Sequence, residues 1–100
     1  MKMKEIVTIK GKPVIEICES FDGSYWFVTE KTYKQNSVID GKVYKDDQIL
    51  LDYVRLSASP ESAEFGYFSE AELKLLDSRI WKVTKKDWVS CPEVEVEELA

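Results

Sequence analysis

Apolar residues recur in short alternating runs along most of this chain, a period of two that writes strands, and the pattern changes character once, across residues 64–78. There Phe65, Gly66, Tyr67 and Phe68 make an aromatic, extended stretch that runs into Ser69, with Glu72 three residues later. Serine and glutamate at that spacing form a capping box, in which each side chain meets the other residue's free backbone amide. The pattern predicts a strand through Gly66, a turn at Ser69 and one short helix over about residues 70–77. Ala71, Leu73, Leu75 and Leu76 would form its apolar side, and Glu70, Glu72, Lys74 and Asp77 its wet side.

The rest of the chain reads as a meander of strands. Residues 5–10 form the first, and Gly11, Lys12 and Pro13 a turn whose proline cannot donate to a central ladder. Residues 14–19 form the second, with Ile15 and Ile17 on one face and Val14, Glu16 and Cys18 on the other. An Asp22-Gly23 turn leads into a third strand over 24–30. Residues 31–37 read as a polar loop, after which Asp40-Gly41 joins two short runs, 37–39 and 42–45, into a small hairpin. Residues 48–57 are apolar on both faces, with Ile49, Leu51 and Tyr53 against Leu50, Val54 and Leu56, so this strand should be central and covered on both sides. Pro60 lies in a loop, residues 79–85 form a last strand, and residues 93–100 suit either an edge strand or a frayed acidic tail. The expected fold is a single α+β domain over residues 1–100: a small, curved antiparallel sheet of about five to seven strands with one helix packed on it.

Charge narrows the functional classes. The net charge is −5, but residues 1–45 carry eight basic and six acidic side chains, whereas 46–100 carry six basic and thirteen acidic. That disfavours a general nucleic-acid binder and leaves room for one basic face. Residues 1–10 alternate lysine with apolar residues and lack the apolar run that export requires, and no stretch is long enough to span a membrane. With two cysteines and no CxxC pair, reduced thiols in the cytoplasm are the expectation, although a Cys18–Cys91 disulfide stays open.

Histidine is absent, which removes the usual general base and the Ser-His and Cys-His nucleophile arrangements. Two isolated cysteines cannot supply a tetrahedral zinc site from one chain, and the four glycines stand singly at turns, never as a phosphate-cradling loop. The expectation is a non-enzyme without metal or cofactor. Carboxylate chemistry has one candidate, Asp52, in the row Leu50, Asp52, Val54, Leu56; the bland reading places it at a wet margin or beside Arg55, Arg79 or a lysine.

Two binding classes stay open. One is an interaction or accessory protein that meets a protein partner through its acidic second half or an open sheet edge. The other is a single-stranded nucleic-acid binder using Tyr25, Phe27, Lys31, Tyr33 and Lys34, rings stacking on bases while lysines follow phosphates. Alternation allows at most half of these rings to be exposed on a packed sheet. The second class needs Lys31, Lys34, Lys42 and Lys45 on one face, uncovered by the acidic tail.

The run Trp26-Phe27-Val28-Thr29-Glu30, followed later by Gly66-Tyr67-Phe68-Ser69-Glu70-Ala71-Glu72-Leu73, resembles an uncharacterised family of small proteins carried on bacterial plasmids and other mobile elements. In that family an aromatic Trp-x-x-Thr-Glu strand precedes a Gly-Tyr-Phe-Ser stretch that opens a helix. Past the helix the family shows an acidic-basic-acidic cluster before an aromatic, where this chain has Lys85-Lys86-Asp87-Trp88. The resemblance implies an α+β fold and a mobile-element setting, and it implies no chemistry.

Overall fold

The computed structural model describes residues 4–75 and 79–99, and within them the chain is more sheet-rich than one sheet with a helix. The strands are β1 (Lys4–Ile9), β2 (Lys12–Pro13), β3 (Glu16–Ser20), β4 (Tyr25–Ile39), β5 (Lys42–Arg55), β6 (Glu64–Ser69), β7 (Ile80–Lys82) and β8 (Glu95–Leu99), with helix α1 (Glu70–Leu75) between β6 and β7. They form two open antiparallel sheets, a three-stranded one ordered β2-β1-β8 and a five-stranded one ordered β6-β5-β4-β3-β7. This replaces the single curved sheet expected from the pattern. The turn before β2 is Lys10-Gly11, both at positive φ, and Pro13 sits on an edge strand where its missing N–H costs nothing.

The split occurs between two adjacent residues. The Val14 amide donates to the Val7 carbonyl at 2.9 Å, in the smaller sheet, and the next amide, Ile15, donates to Val28 at 2.8 Å, in the larger one. Val14 is accordingly buried and Ile15 half exposed, so they do not share one strand with Ile17. The alternative of an edge strand holds for the tail: β8 pairs with β1 along its length. Glu93, at φ 65°, fastens the approach to it, accepting from the Tyr53 hydroxyl at 3.3 Å and pairing with Arg55 at 3.0 Å.

Cross-strand partners share a face of a sheet, and one row of the larger sheet builds the core. Ile17, Phe27, Tyr53 and Phe65 are successive partners across β3, β4, β5 and β6. They pack against Ile9, Val14 and Trp88, so the smaller sheet and the 3-10 segment Lys85–Ser90 cover this face. The Tyr53 ring meets Phe65 edge-on at 5.1 Å, and the Trp88 indole N–H donates to the Val83 carbonyl at 3.0 Å. The next row, Glu16, Val28, Asp52 and Gly66, points the opposite way, and α1 packs against β5 and β6 on that side.

Residues 31–37 are strand, not loop. β4 and β5 run on as one hairpin arm through the Asp40-Gly41 turn, giving the molecule its 51 Å length. Its register slips between Val28 and Glu30, Lys31 and Tyr33, and Gln35 and Ser37. At each slip the extra residue bonds the partner strand with its side chain: Thr29 Oγ1 donates to Leu51 O at 2.9 Å, Thr32 Oγ1 donates to Ile49 O at 2.8 Å, and Asn36 Oδ1 accepts the Asp46 amide at 3.1 Å. Three β-bulges thus destroy the period of two that would have announced the strand.

The helix starts at the expected place with different partners. Ser69 Oγ accepts the Glu72 amide at 3.1 Å, but the Ser69 backbone lies in the β6 ladder opposite Ile49, and no bond from Glu72's carboxylate returns to it. Asp47 of β5 completes the cap: it accepts the Ala71 amide at 2.9 Å and hydroxyls of Ser69 and Ser37. The helix is described to Leu75; the expected positions Leu76 and Asp77 lie outside the described residues.

Candidate functional site

The helix-covered face of the larger sheet carries the two principal hollows of the molecule, and they meet at Lys31, Glu70 and Lys74. The inner one, about 380 Å³, lies between α1 and the β3–β7 edge. Its apolar wall is Cys18, Val28, Leu50, Leu73 and Ile80, and its rim carries Lys31, Lys74 and Lys82 with Glu16 and Glu70. The outer one, about 670 Å³, is a groove along the arm lined by Lys31, Lys34, Lys42, Lys45 and Lys74 over Val43, Tyr44, Ala71 and Leu75.

Bulges decide who faces this groove. Lys31 is the ladder partner of Leu50 and Lys34 of Gln48, whereas Tyr33 is the partner of Ile49, one residue out of phase. Tyr33 therefore points to the other face, where its ring lies 6.5 Å from that of Tyr67. Phe27 is fully buried in the core row, and Tyr25 stacks on it at 5.7 Å. Of the five residues proposed to stack and track a single strand, Lys31 and Lys34 lie together; the three rings do not join them, because packing claims two and the bulge at Thr32 turns the third away. Gly66 lies within β6, Ser69 ends that strand and accepts the Glu72 amide, and the Glu72 carboxylate takes no part in the cap.

Lys42 and Lys45 arrive from the returning strand, and Lys42 rests over the Tyr44 ring at 5.4 Å. Lys74 pairs with Glu70 at 3.2 Å and Lys82 with Glu16 at 3.0 Å; the Glu16 hydrogen bond and charge raise the Lys82 pKa. Asp46, Asp47 and Glu70 interrupt the lysines. Asp47 is fully engaged: burial works hardest against its charge, but the bonds from Ser37, Ser69 and the Ala71 amide outweigh it and hold the carboxyl below its ordinary value.

Asp52 overturns the bland reading. It is 0% exposed, and neither carboxyl oxygen has a hydrogen-bond partner among the described residues. Arg55 is on the opposite face, paired with Glu93. Directly across the ladder from Asp52 stands Gly66, over which the Phe68 ring leans so closely that a Cβ there would lie 3.0 Å from it. Burial, with the Glu16 charge adding, pushes the Asp52 pKa up to about 7. Burial likewise pushes the Cys18 thiol up to about 11, helped by Glu16 and Asp52.

Alternation flagged Asp52 as an acid in an apolar row, but the chain gives no local sign of Asp47, which lies far upstream of the helix it caps. Both cysteines are free thiols, and among the described residues no three His, Cys, Asp or Glu side chains converge on a metal position. No helix there is long and apolar enough to cross a membrane. Comparisons of the chain with protein-family models, with curated proteins and with solved structures return no match.

Proposed function

We propose that this protein is a non-enzymatic interaction module whose hairpin arm and helix α1 hold an acidic, partly apolar segment of a protein partner. The observation that carries this reading is the composition of the outer groove: five lysines surround Val43, Tyr44, Ala71 and Leu75. An apolar floor with a cationic rim suits a peptide that alternates carboxylates with aliphatic residues. At the arm's tip the partners Val38 and Val43 are 70% and 56% exposed, an apolar pair that no part of the described chain covers. The family resemblance of residues 26–30 and 66–73 is compatible with such an accessory role on a mobile element.

One observation favours nucleic acid instead. Lys31, Lys34, Lys42 and Lys45 line a single groove, while the acidic β8 belongs to the sheet packed on the opposite face. Against it, the groove offers no platform of stacked rings, and Asp46 and Glu70 lie among its lysines. Fluorescence anisotropy with a labelled Glu/Val-alternating peptide and with labelled single-stranded DNA and RNA, across a salt series, separates the two. The peptide should bind and lose affinity when Lys31, Lys34 and Lys45 are changed together to glutamate. Tight, steeply salt-dependent binding of the oligonucleotides with none of the peptide reverses the assignment.

A further inference from the structure

We propose that the inner cavity is a binding site for a small organic cation, a primary amine or guanidine carried on an apolar body, with the Asp52 carboxylate as its counter-ion. The cavity, about 380 Å³, is within the range of small-ligand sites, and its wall is apolar on both sides: Cys18, Val28 and Leu50 from the sheet, Leu73 from the helix and Ile80 from the edge strand. Asp52 belongs to the floor of the same face. It is the ladder partner of Val28 and stands two residues along β5 from Leu50, both of which line the cavity.

A buried carboxyl in a folded protein almost always has donors, and this one has none among the described residues. Its neighbours supply none. Val28 and Leu50 are apolar, Gly66 has no side chain, and the neutral Cys18 thiol, a weak donor, makes no bond to Asp52. Of the cations nearby, Lys82 pairs with Glu16, Lys74 with Glu70 and Arg55 with Glu93 on the far face, while Lys31 at the rim is unpaired among the described residues and makes no bond to Asp52. No donor among the described residues reaches Asp52, and the cavity that Val28 and Leu50 border is the route by which a ligand's donor would do so.

The sign of the ligand's charge follows from which side chains reach inward. In the two rim pairs the ammonium ends are the outer partners, 75% exposed for Lys82 and 71% for Lys74, while Glu16 and Glu70 are 26% and 33% exposed. The inner surface thus presents the carboxylates, with Asp52 beneath them. Glu16 and Glu70 line the cavity and Asp52 lies under its floor, so a cation finds counter-ions here, while the paired lysines turn outward and Lys31 stands at the rim.

Benzylamine is the probe, with benzyl alcohol as its neutral counterpart, read by amide chemical shifts in β3, β5 and α1 and by the fluorescence of Trp81, which lines the cavity. Benzylamine should saturate the site with a Kd on the order of 1 mM, as suits so small a molecule. Because a cation binds the ionised carboxyl, and Asp52 titrates at about 7, affinity should rise about tenfold per pH unit below that value and level off above it. Asp52→Asn should remove the pH dependence and weaken benzylamine at least tenfold, and Leu73→Trp, which fills the cavity, should abolish binding of both compounds. The wild-type pH series stands without any variant. Equal binding of benzylamine and benzyl alcohol, an affinity independent of pH, or no shift at all each overturns the proposal. The outer groove adjoins the cavity at Lys31, Glu70 and Lys74, but peptide binding there is read by the lysine variants and not by Asp52→Asn, so the two proposals fail separately.

Discussion

Asp47 and Ala71 are 24 residues apart in the chain, and the carboxylate of one accepts the backbone amide of the other at 2.9 Å. The same carboxylate takes the hydroxyls of Ser69 and of Ser37, so one buried side chain ties the base of the arm, the end of β6 and the start of α1. Capping by a side chain from a different strand makes the short helix a tertiary element rather than a local one. Asp47→Ala should accordingly destabilise the protein by about 2 kcal/mol, since it removes a charged acceptor from three partly buried donors, whereas Ser69→Ala should cost about 1 kcal/mol. Urea denaturation of both single variants and the double variant checks this. Additive losses would remove the network from the account, because groups sharing one carboxylate must be non-additive.

The acid limb carries a second expectation for Asp47. Its folded-state pKa lies below the ordinary carboxylate value, so its contribution is fully present above about pH 4 and is lost as pH falls through the depressed folded value. Acid unfolding followed by near-ultraviolet circular dichroism should be shallower in Asp47→Ala below pH 4 than in the native sequence. An unchanged acid limb would mean that the three bonds do not favour the charged form.

What the sequence disclosed and what it hid follow from the range of each interaction. The helix start at Ser69 is a local signal and stands in the structure, whereas the alternation that grouped Ile15 with Ile17 does not, since Val14 is buried and Ile15 half exposed. The passage from one sheet to the other at Val14-Ile15 left no mark, because Gly11-Lys12-Pro13 reads the same whether it turns within a sheet or leaves it. The arm was hidden by its bulges, where Thr29, Thr32 and Asn36 break the alternation and lend the segment a loop's polarity. Asp52 was visible as an acid in an apolar row. Its isolation was not, since that depends on Gly66 standing opposite and on a helix covering the face.

The arm beyond Ser37 and Tyr44 should be dispensable for folding. Residues 38–43 make the exposed tip of the hairpin, where Val38 and Val43 remain 70% and 56% exposed. Replacing these six residues by Asn-Gly, directly between the partners Ser37 and Tyr44, supplies a two-residue turn of the right hand. The denaturation midpoint should move by no more than about 0.5 kcal/mol in free energy, the scale of an exposed change. A large loss would show that the tip packs on the body.

Cys18 should be inert in the native protein. Burial first, and then the nearby Glu16 and Asp52, push its thiol up to about 11, so the reactive thiolate is scarce at pH 8. A disulfide-exchange reagent should label Cys18 only at the rate of unfolding, and should label Cys91, half-buried and with a thiol raised by burial, Glu19 and Asp87, sooner. Mapping the labelled cysteine by peptide mass after short exposure distinguishes them. Early modification of Cys18 would place it in a more open setting than β3 provides.

Asp52 should make the protein less stable as pH rises, the opposite of a salt-bridged carboxylate. Its folded-state pKa is raised to about 7 by burial and by Glu16, while in the unfolded chain the same group titrates near 4. Between these values the folded state holds a proton that the unfolded state has released, so folding loses about 1.4 kcal/mol per pH unit across the window and levels off above it. Across the roughly three pH units between the two values the whole effect is about 4 kcal/mol. Growing negative charge also lowers stability as pH rises, and Asp52→Asn, neutral throughout, isolates the buried group from that background. Thermal melts at pH 4.5, 6 and 7.5 should fall steeply for the native chain and much less for Asp52→Asn, with the two curves diverging toward neutral pH. Parallel curves would mean that the folded-state pKa of Asp52 is not raised above the unfolded value, which would also remove the pH dependence expected of the inner cavity.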